Sequence, residues 1–538
     1  MPWDIHSRAG VQVAGLAALL VFAVPGCGST GKNGGSTGGG GSEANGGSGA
    51  NGGERAASGA PEMSGNAGSN NVAPGKCNAA AAAKDGSVES AITPQPSAYV
   101  SGVSAACDGS FVVTGQAPRG ITFERADATK VELKDASVWF AKFDAKGQLA
   151  FAKPIVEGKS DDAVWAYPAV FPDGSLVLGG VFGTSAVFAQ GEPNETKLDT
   201  LGTRLDGFVA RYTATGALDW VQQIGPAGEV YVSGIAAGPN GLTYAAIHAN
   251  NVGGVTLGPG VLDAELAGGD WAIATLDAHG KFLAASLGSA LEPMPMKVVA
   301  AADGGVVVAG RGYAGGLFAK GTAQEQKQAS PGLFMAHFSQ DLQLDWVRSV
   351  DIPTDTFSSA VLPDGSGAFV SNFVRSVTLG EGEASEVTFT KQGVDKDGYV
   401  ARIDDQGKLA WAVQLASADD VHAYGVTATA DGSVWVAGEF GASAGKVSTL
   451  ELGPGTPSVL SITGTGLTNF VARFAEDGKV EWATTFADEA YLHTQAMSAA
   501  PGSLIAAGMF NGSVSFGSAA HQLDAVSSPS TFITRLGP

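Results

Sequence analysis

Basic residues, histidine, cysteine and helical periodicity are all in short supply in this chain, and each shortage closes off a class of function. Lysine and arginine number 31 against 52 aspartates and glutamates, a net charge of −21, which argues against nucleic acid and against electrostatic docking on anionic lipid. The acid excess suits solubility, cations or basic partners. The seven histidines, His6, His248, His279, His337, His422, His493 and His521, are scattered with no H-E-x-x-H and no pair at metal-ligand spacing, so no zincin-type centre is encoded. The G-x-S-x-G match at Gly441–Gly445 follows a strand-like run and precedes no helix, so the context of a nucleophile elbow is missing. No glycine-rich tract forms a Walker A loop, and no loop carries the full D-x-D-x-D-G spacing; Asp395, Asp397 and Gly398 are a fragment of it. The folded part shows no amphipathic helix pattern. Its short apolar runs, broken by Gly, Asp and Asn, are an all-β composition.

The first part of the chain reads as an address and not as a domain. Residues 1–26 run from a short polar start with Arg8 through the apolar stretch Val11 to Val24 to Pro25 and Gly26, a secretory signal too short and too weakly flanked for a membrane span. The small residues before Cys27 resemble the bacterial lipoprotein signal, in which the cysteine becomes the lipidated N-terminus; Pro25 departs from the Ala, Ser or Thr usual at its position. Residues 27–76 are rich in Gly, Ser and Asn and nearly devoid of large apolar side chains, so they cannot offset chain entropy by burial and serve as a tether. At roughly 5 to 6 Å times the square root of length, such a tether reaches about 40 Å on average. Three cysteines occur, Cys27, Cys77 and Cys107. With Cys27 lipidated, Cys77 and Cys107 form an even pair in an oxidising compartment; two unrelated free thiols are the alternative.

Residues 77–538 repeat one phrase. DGFVARYTATGALDW from Asp206, DGYVARIDDQGKLAW from Asp397 and TNFVARFAEDGKVEW from Thr468 are the clearest copies; others start at Ser137, Asp270, Gly332 and Ser530, between 62 and 71 residues apart. So regular a period means stacked or radial repeats. Each copy has a second anchor, an Asp-Gly or related turn ahead of an alternating apolar strand, as in PDGSLVLGG ending at Gly180 and ADGSVWVAG ending at Gly438. Such turns between apolar alternations are the strongest short-range hairpin signal. The sixth repeat parses into strands at about Tyr424–Ala430, Ser433–Gly438, Asn469–Phe474 and Lys479–Thr485. Four antiparallel strands per unit, seven times over, predict a seven-bladed β-propeller.

A basic residue recurs at one position of the third strand, Lys142, Arg211, His337, Arg402, Arg473 and Arg535, and a tryptophan in the fourth, Trp220, Trp346, Trp411 and Trp482. Both sets read as packing between blades. Together, the D-G turn, the strand ending in G, D-x-F-V-A-R and D-x-x-G-x-x-x-W-A resemble the bacterial secreted β-propeller repeats known as SBBP-type repeats. The resemblance covers about residues 84–538 and implies a propeller in an extracytoplasmic setting, with no single activity.

The seventh copy ends at Pro538 before its fourth strand, while KDGSVESAIT from Lys84 matches EDGKVEWATT from Glu476, with Ser90 standing where Trp482 does. The expectation is that Ser87–Thr93 pairs with Thr531–Leu536 and closes the ring, leaving no open edge. Long second-to-third strand connections, such as Phe440 to Thr468, are expected to be open loops of the kind that carry binding. Acidic residues mark the connections between repeats on the same end: Asp161, Asp162, Glu229, Glu292, Asp355, Asp419, Asp420, Asp488 and Glu489. They form a candidate rim for Ca²⁺ or a basic partner, with solvated turn residues as the plainer reading. The expected function is therefore a lipid-anchored binding or scaffold module of the cell envelope, monomeric in its domain; the alternative is a propeller glycan hydrolase or lyase using outward carboxylates.

Overall fold

The computed structural model describes residues 88–537 apart from 97, 118, 135, 158–164, 202–204, 226–228, 251–253, 260, 261, 263, 290–293, 302, 330, 352–356, 363, 430, 443–444, 489–491, 501–502, 516–521 and 526–529. The chain divides into two units, Met1–Val72 and Ala73–Pro538, and every described residue belongs to the second. The signal, the tether, Cys27 and Cys77 lie outside the described residues.

The described residues are all-β, and each repeat folds as four antiparallel strands. In the sixth, Asp420–Ala428, Val434–Gly441, Thr468–Phe474 and Val480–Asp488 lie side by side in that order. The first strand starts four residues earlier than alternation suggested. A bulge between Ala423 and Gly425 shifts its phase, and a period-2 reading loses the strand at such a shift. Equivalent first strands are Tyr99–Ala105, Trp165–Val170, Glu229–Ala237, Met294–Ala300, Phe357–Val361 and Leu492–Ala500. Each packs beside the next, and Leu492–Ala500 packs beside Tyr99–Ala105; they are called inner strands below. The last sheet runs Val88–Ile92, Ser530–Leu536, Ser503–Phe510, Leu492–Ala500, so its outer strand comes from the start of the described chain. Ile92 lies opposite Ile533 and Val88 opposite Leu536.

Third strands such as Asp206–Tyr212 are buried at every residue because both faces meet a neighbouring sheet. Val209 packs with Ile235 and Ile247 of the next sheet, and Trp139 of the first sheet packs with Ile505 and Ile533 of the last. The aspartate that opens these strands is an anchor. Asp206 accepts hydrogen bonds from the Leu201 amide and Gln223 Nε2, both at 2.7 Å; Asp397 repeats the pattern with the Gln392 amide and Gln414 Nε2, both at 2.8 Å.

The long connections are not open loops, which corrects the sequence expectation. They fold as two-stranded hairpins. Ser185–Phe188 with Thr196–Asp199, Leu317–Phe318 with Gln326–Lys327, and Val447–Leu452 with Leu460–Thr465 each extend the outer edge of the preceding sheet. Ion pairs fasten them there: Lys153 with Glu192, Lys320 with Asp270 at 2.7 Å, and Lys446, just ahead of Val447, with Asp419. Covering an edge strand in this way removes a template for aggregation.

The recurring basic residue is a latch between sheets. Lys142 Nζ donates to the Gly174 carbonyl at 2.7 Å, Arg211 Nη1 to Gly241 at 3.0 Å and Arg535 Nη1 to Gly109 at 2.7 Å. Each acceptor is the turn glycine of the following sheet, and for Arg535 of the seventh sheet that is the first. The tryptophans fasten the same joint: Trp220, Trp346 and Trp411 donate through Nε1 to Ala278, Asp405 and Glu476 carbonyls at 2.7, 2.9 and 2.8 Å. Arg402 is only 6% exposed and donates to Gly432 O at 3.2 Å, Glu476 O at 3.0 Å and Ser366 Oγ at 3.3 Å. Arg402→Met strands these buried acceptors, so a loss of about 3 kcal/mol is expected in urea melts.

The turns ahead of the second strands carry an acid dependence. Burial pushes the carboxyls of Asp108, Asp173 and Asp431 up, but hydrogen bonds from Ser110, Ser175, and Thr429 with Ser433 outweigh it and leave all three below the usual 3.8. A carboxyl lowered in the folded state stabilises above its unfolded value and stops doing so as pH falls through the folded one. Urea melts at pH 5 and pH 3 are therefore expected to show weaker folding at pH 3.

Candidate functional site

The inner strands present a run of side chains that are neither core nor latch. Their first turn-proximal residues lie at the end where the connections between sheets enter, the end assigned to the acidic rim. Asp161, Asp162, Glu292, Asp355 and Glu489 lie outside the described residues. Asp488 closes the strand Val480–Asp488 opposite Thr468. Glu229 opens an inner strand, is 9% exposed and accepts from Tyr231 Oη at 2.9 Å. Asp420 opens another, and its Oδ1 accepts from the Asp395 amide at 3.0 Å. Asp419 is 5% exposed, pairs with Lys446 and accepts from Ser448 Oγ at 2.6 Å; those hydrogen bonds hold its carboxyl below the usual range. The three with described side chains are thus each tied to their own surroundings. Among the described residues, no group of three His, Cys, Asp or Glu side chains is placed to hold a metal ion.

Just inside this rim stands a set of rings that sequence reading missed. Tyr99 lies opposite Gln116, Trp165 opposite Val181, Tyr231 opposite His248 and His422 opposite Glu439. These second-strand partners in turn face Val138, Gly207, Trp271 and Asn469, each four residues ahead of the latch position. The four rings therefore share one register level. Tyr99 is 42% exposed, and Trp165, Tyr231 and His422 are partly exposed, while neighbours such as Val100, Ala166 and Val421 are buried. Trp165 stacks on Tyr231 across two sheets, with centroids 5.7 Å apart and planes at 12°. A signal existed in the first large residue of each inner strand, but the bulges hide its register.

In the sixth sheet, burial raises the carboxyl of Glu439, and burial together with Lys396 lowers the imidazole of His422 against the pull of Asp420 and Asp395. Both shifts favour the neutral form of a cross-strand pair. Beside it, Tyr424 Oη donates to Asn469 Oδ1 at 2.7 Å. Chemically, the level offers stacking surfaces for an apolar or sugar ring and one carboxyl shifted in the direction a general acid requires.

Cys107 sits exposed in the turn after the first inner strand and is disulfide-bonded.

No family model matches the sequence, and no curated protein matches it. Solved structures that it resembles are β-propeller proteins. They include virginiamycin B lyase from Staphylococcus aureus, at 11% identity over 84% of this chain and 98% of that one with a TM-score of 0.36. A gluconolactonase from Xanthomonas campestris matches at 14% identity over 70% of this chain and 87% of that one, TM-score 0.29. A mutant of NanB sialidase from Streptococcus pneumoniae matches at 8% identity over 67% and 66%, TM-score 0.34. At these values no activity, substrate or residue role passes to this chain.

Proposed function

We propose that this chain is a bacterial envelope lipoprotein in which Cys27 carries lipid, residues 27–76 are a tether, and residues 77–538 form a seven-bladed β-propeller that binds a ligand at the mouth of its channel. The observation that carries the binding reading is the shared level of Tyr99, Trp165, Tyr231 and His422, open to solvent on the inner strands. Rings held on rigid strands offer contact area at little entropic cost, which is what a binding mouth needs.

Closure of the ring is supported by contacts at its seam that repeat those between ordinary neighbours. Arg535 reaches the Gly109 carbonyl as Arg211 reaches Gly241. A side chain at Gly147 would collide with Ser90, as one at Gly280 would with Trp220, so Ser90 occupies the tryptophan's place. Cys77 is the proposed partner of Cys107, whose disulfide lies in the turn after the first inner strand.

A second reading, a glycan hydrolase or lyase, is favoured by the raised carboxyl of Glu439 beside His422; it needs a second carboxyl at a defined separation. The two are separated by melting the full chain in detergent with Ca²⁺ and with a panel of envelope oligosaccharides, followed by a reducing-end assay. Binding predicts a saturable rise in melting temperature with no new reducing ends, and loss of that rise in Trp165→Ala. New reducing ends that disappear in Glu439→Gln would replace the binding reading with the enzymatic one. Oligosaccharides without effect, together with a rise on Ca²⁺ alone, would move the site to the acidic rim.

A further inference from the structure

In the sixth sheet the level of the mouth is polar on three strands in a row. His422 of the inner strand lies opposite Glu439 of the second, and Glu439 lies opposite Asn469 of the third. Residues directly opposite share a face and hold their Cβ atoms about 5 Å apart, so these three side chains stand together. Tyr424, two residues after His422, joins them through the 2.7 Å hydrogen bond from its Oη to Asn469 Oδ1. The place of Asn469 is taken by Val138, Gly207 and Gly398 in three other sheets, so the architecture of the ring does not ask for an amide there.

The face is the one that packs on the seventh sheet. Trp435, Ala437 and Val471, further along the same two strands, lie in one core with Leu504 and Phe532. At Glu439 and Asn469 that apolar contact gives way to polar groups. His422, Tyr424 and Glu439 are partly exposed, and Asn469 is 3% exposed. Among the described residues, no hydrogen bond engages either nitrogen of His422, either carboxyl oxygen of Glu439 or Nδ2 of Asn469. Polar groups this far from open solvent are normally paired, so the amide of Asn469 points to an acceptor supplied from outside the chain.

We infer that His422, Tyr424, Glu439 and Asn469 form a β-elimination site for a uronate residue linked through its O4. The inference rests on the enzymatic reading of Glu439 and His422 and changes its reaction, since elimination needs neither a second carboxylate nor an attacking water. The proton on C5 of a uronate lies next to the carboxylate and is acidic enough to remove only when donors mask that charge. Glu439, carrying its proton, and Asn469 Nδ2 are those donors, and bonds to an ionised acceptor are about twice as strong as neutral ones. His422 takes the C5 proton as general base. The electron pair of the C5–H bond forms the C4=C5 double bond. The C4–O bond breaks with its pair on the glycosidic oxygen, and Tyr424 Oη gives that oxygen a proton. Transfer of the imidazolium proton to the tyrosinate through solvent restores both groups, so no oxidant or reductant is consumed.

The protonation states suit these roles. Burial and then Lys396 lower the His422 imidazole against the pull of Asp420 and Asp395, and burial raises the Glu439 carboxyl. A base must be free of its proton and a donor must keep one. The net charge of −21 does not decide against an anionic substrate, since charges more than about 10 Å away are largely screened at 0.1 M salt while the donors act at contact.

The test is incubation of the full chain in detergent with polygalacturonate, its methyl ester, alginate and hyaluronate. Ultraviolet absorbance of the conjugated C4=C5 double bond is read together with new reducing ends. Elimination predicts that the two rise together on at least one of the acidic polymers. His422→Gln and Tyr424→Phe are each expected to lower that rate about 100-fold or more. Asn469→Ala is expected to lower it more on the free acid than on the ester, which carries no charge to mask. Glu439→Gln still offers a donor and is expected to lose about tenfold. Thermal melts confirm that each variant folds, and Tyr424→Phe, which keeps the ring, decides the matter if the others do not. Reducing ends without absorbance, disappearing in Glu439→Gln, would overturn elimination and leave the enzymatic reading standing as hydrolysis. Absorbance that persists unchanged in the variants, or no absorbance from any of the polymers, overturns the inference. The binding reading stands or falls separately, on neutral oligosaccharides and Trp165→Ala.

Discussion

A chain lacking residues 78–95 is expected to lose its soluble monomer, or to melt more than 10 °C lower, on a scale of about 2 °C or more per kcal/mol. The deletion removes Val88–Ile92 and exposes Ser530–Leu536, in which every residue is buried, as an unpaired edge. It also removes Glu89 from Arg535, the Ser90 carbonyl from Thr534 Oγ1 at 3.0 Å, and Ser90 from its place against Gly147. Lost ladder bonds and burial of Val88, Ala91 and Ile92 together amount to about 5 kcal/mol, comparable with the whole stability margin of a typical domain. Size-exclusion chromatography and melting of the truncated chain check this. A truncated chain that elutes and melts like the parent would mean that Val88–Ile92 is an ornament on the last sheet.

Gly180→Ala is expected to destabilise by about 3 kcal/mol or more, the range of overpacked or strained core sites. The glycine that ends the second strand faces two neighbours at once: an added Cβ would lie 2.2 Å from the Trp165 carbonyl and 2.8 Å from the Phe208 ring. Neither can yield, since Trp165 starts an inner strand and Phe208 is fully buried. The same crowding recurs at Gly115, 2.0 Å from the Tyr99 carbonyl, and at Gly438, 2.5 Å from the His422 carbonyl. This explains a glycine that repeats without a positive φ. Gly191 is the control: a Cβ there meets nothing within 4 Å, although its φ is +77°. Gly191→Ala should cost about 1 kcal/mol from backbone strain alone. Urea melts of the two variants give the comparison, and equal losses would remove crowding as the reason for the repeat.

These glycines also show what could be read in advance. The turn, the closing glycine, the latch residue and the tryptophan recur in sequence because each joint between sheets uses the same contacts, so the repeat unit and its four strands were legible. Ser90 was legible as the stand-in for Trp482 for the same reason. The hairpins were not: strands of two to six residues set among Gly, Thr and Ser carry too little alternation, and pairing with another sheet's edge leaves no local mark. Asp419 stood in an acidic run suited to a rim, yet Lys446 and Ser448 of a hairpin 27 and 29 residues on hold it. The ring of Tyr99, Trp165, Tyr231 and His422 escaped because its members are different residue types, one per repeat, and all but Trp165 stand on strands whose bulges break the count.

The chain is proposed to close on itself, so that its inner strands surround a channel. Amide hydrogen exchange of the full chain, read peptide by peptide, tests it most directly. Closure predicts that Val88–Ile92 exchanges as slowly as Ser530–Leu536 and that both lose protection together as urea is added. Exchange of Val88–Ile92 at the rate of an unfolded segment, with Ser530–Leu536 still protected, would contradict it.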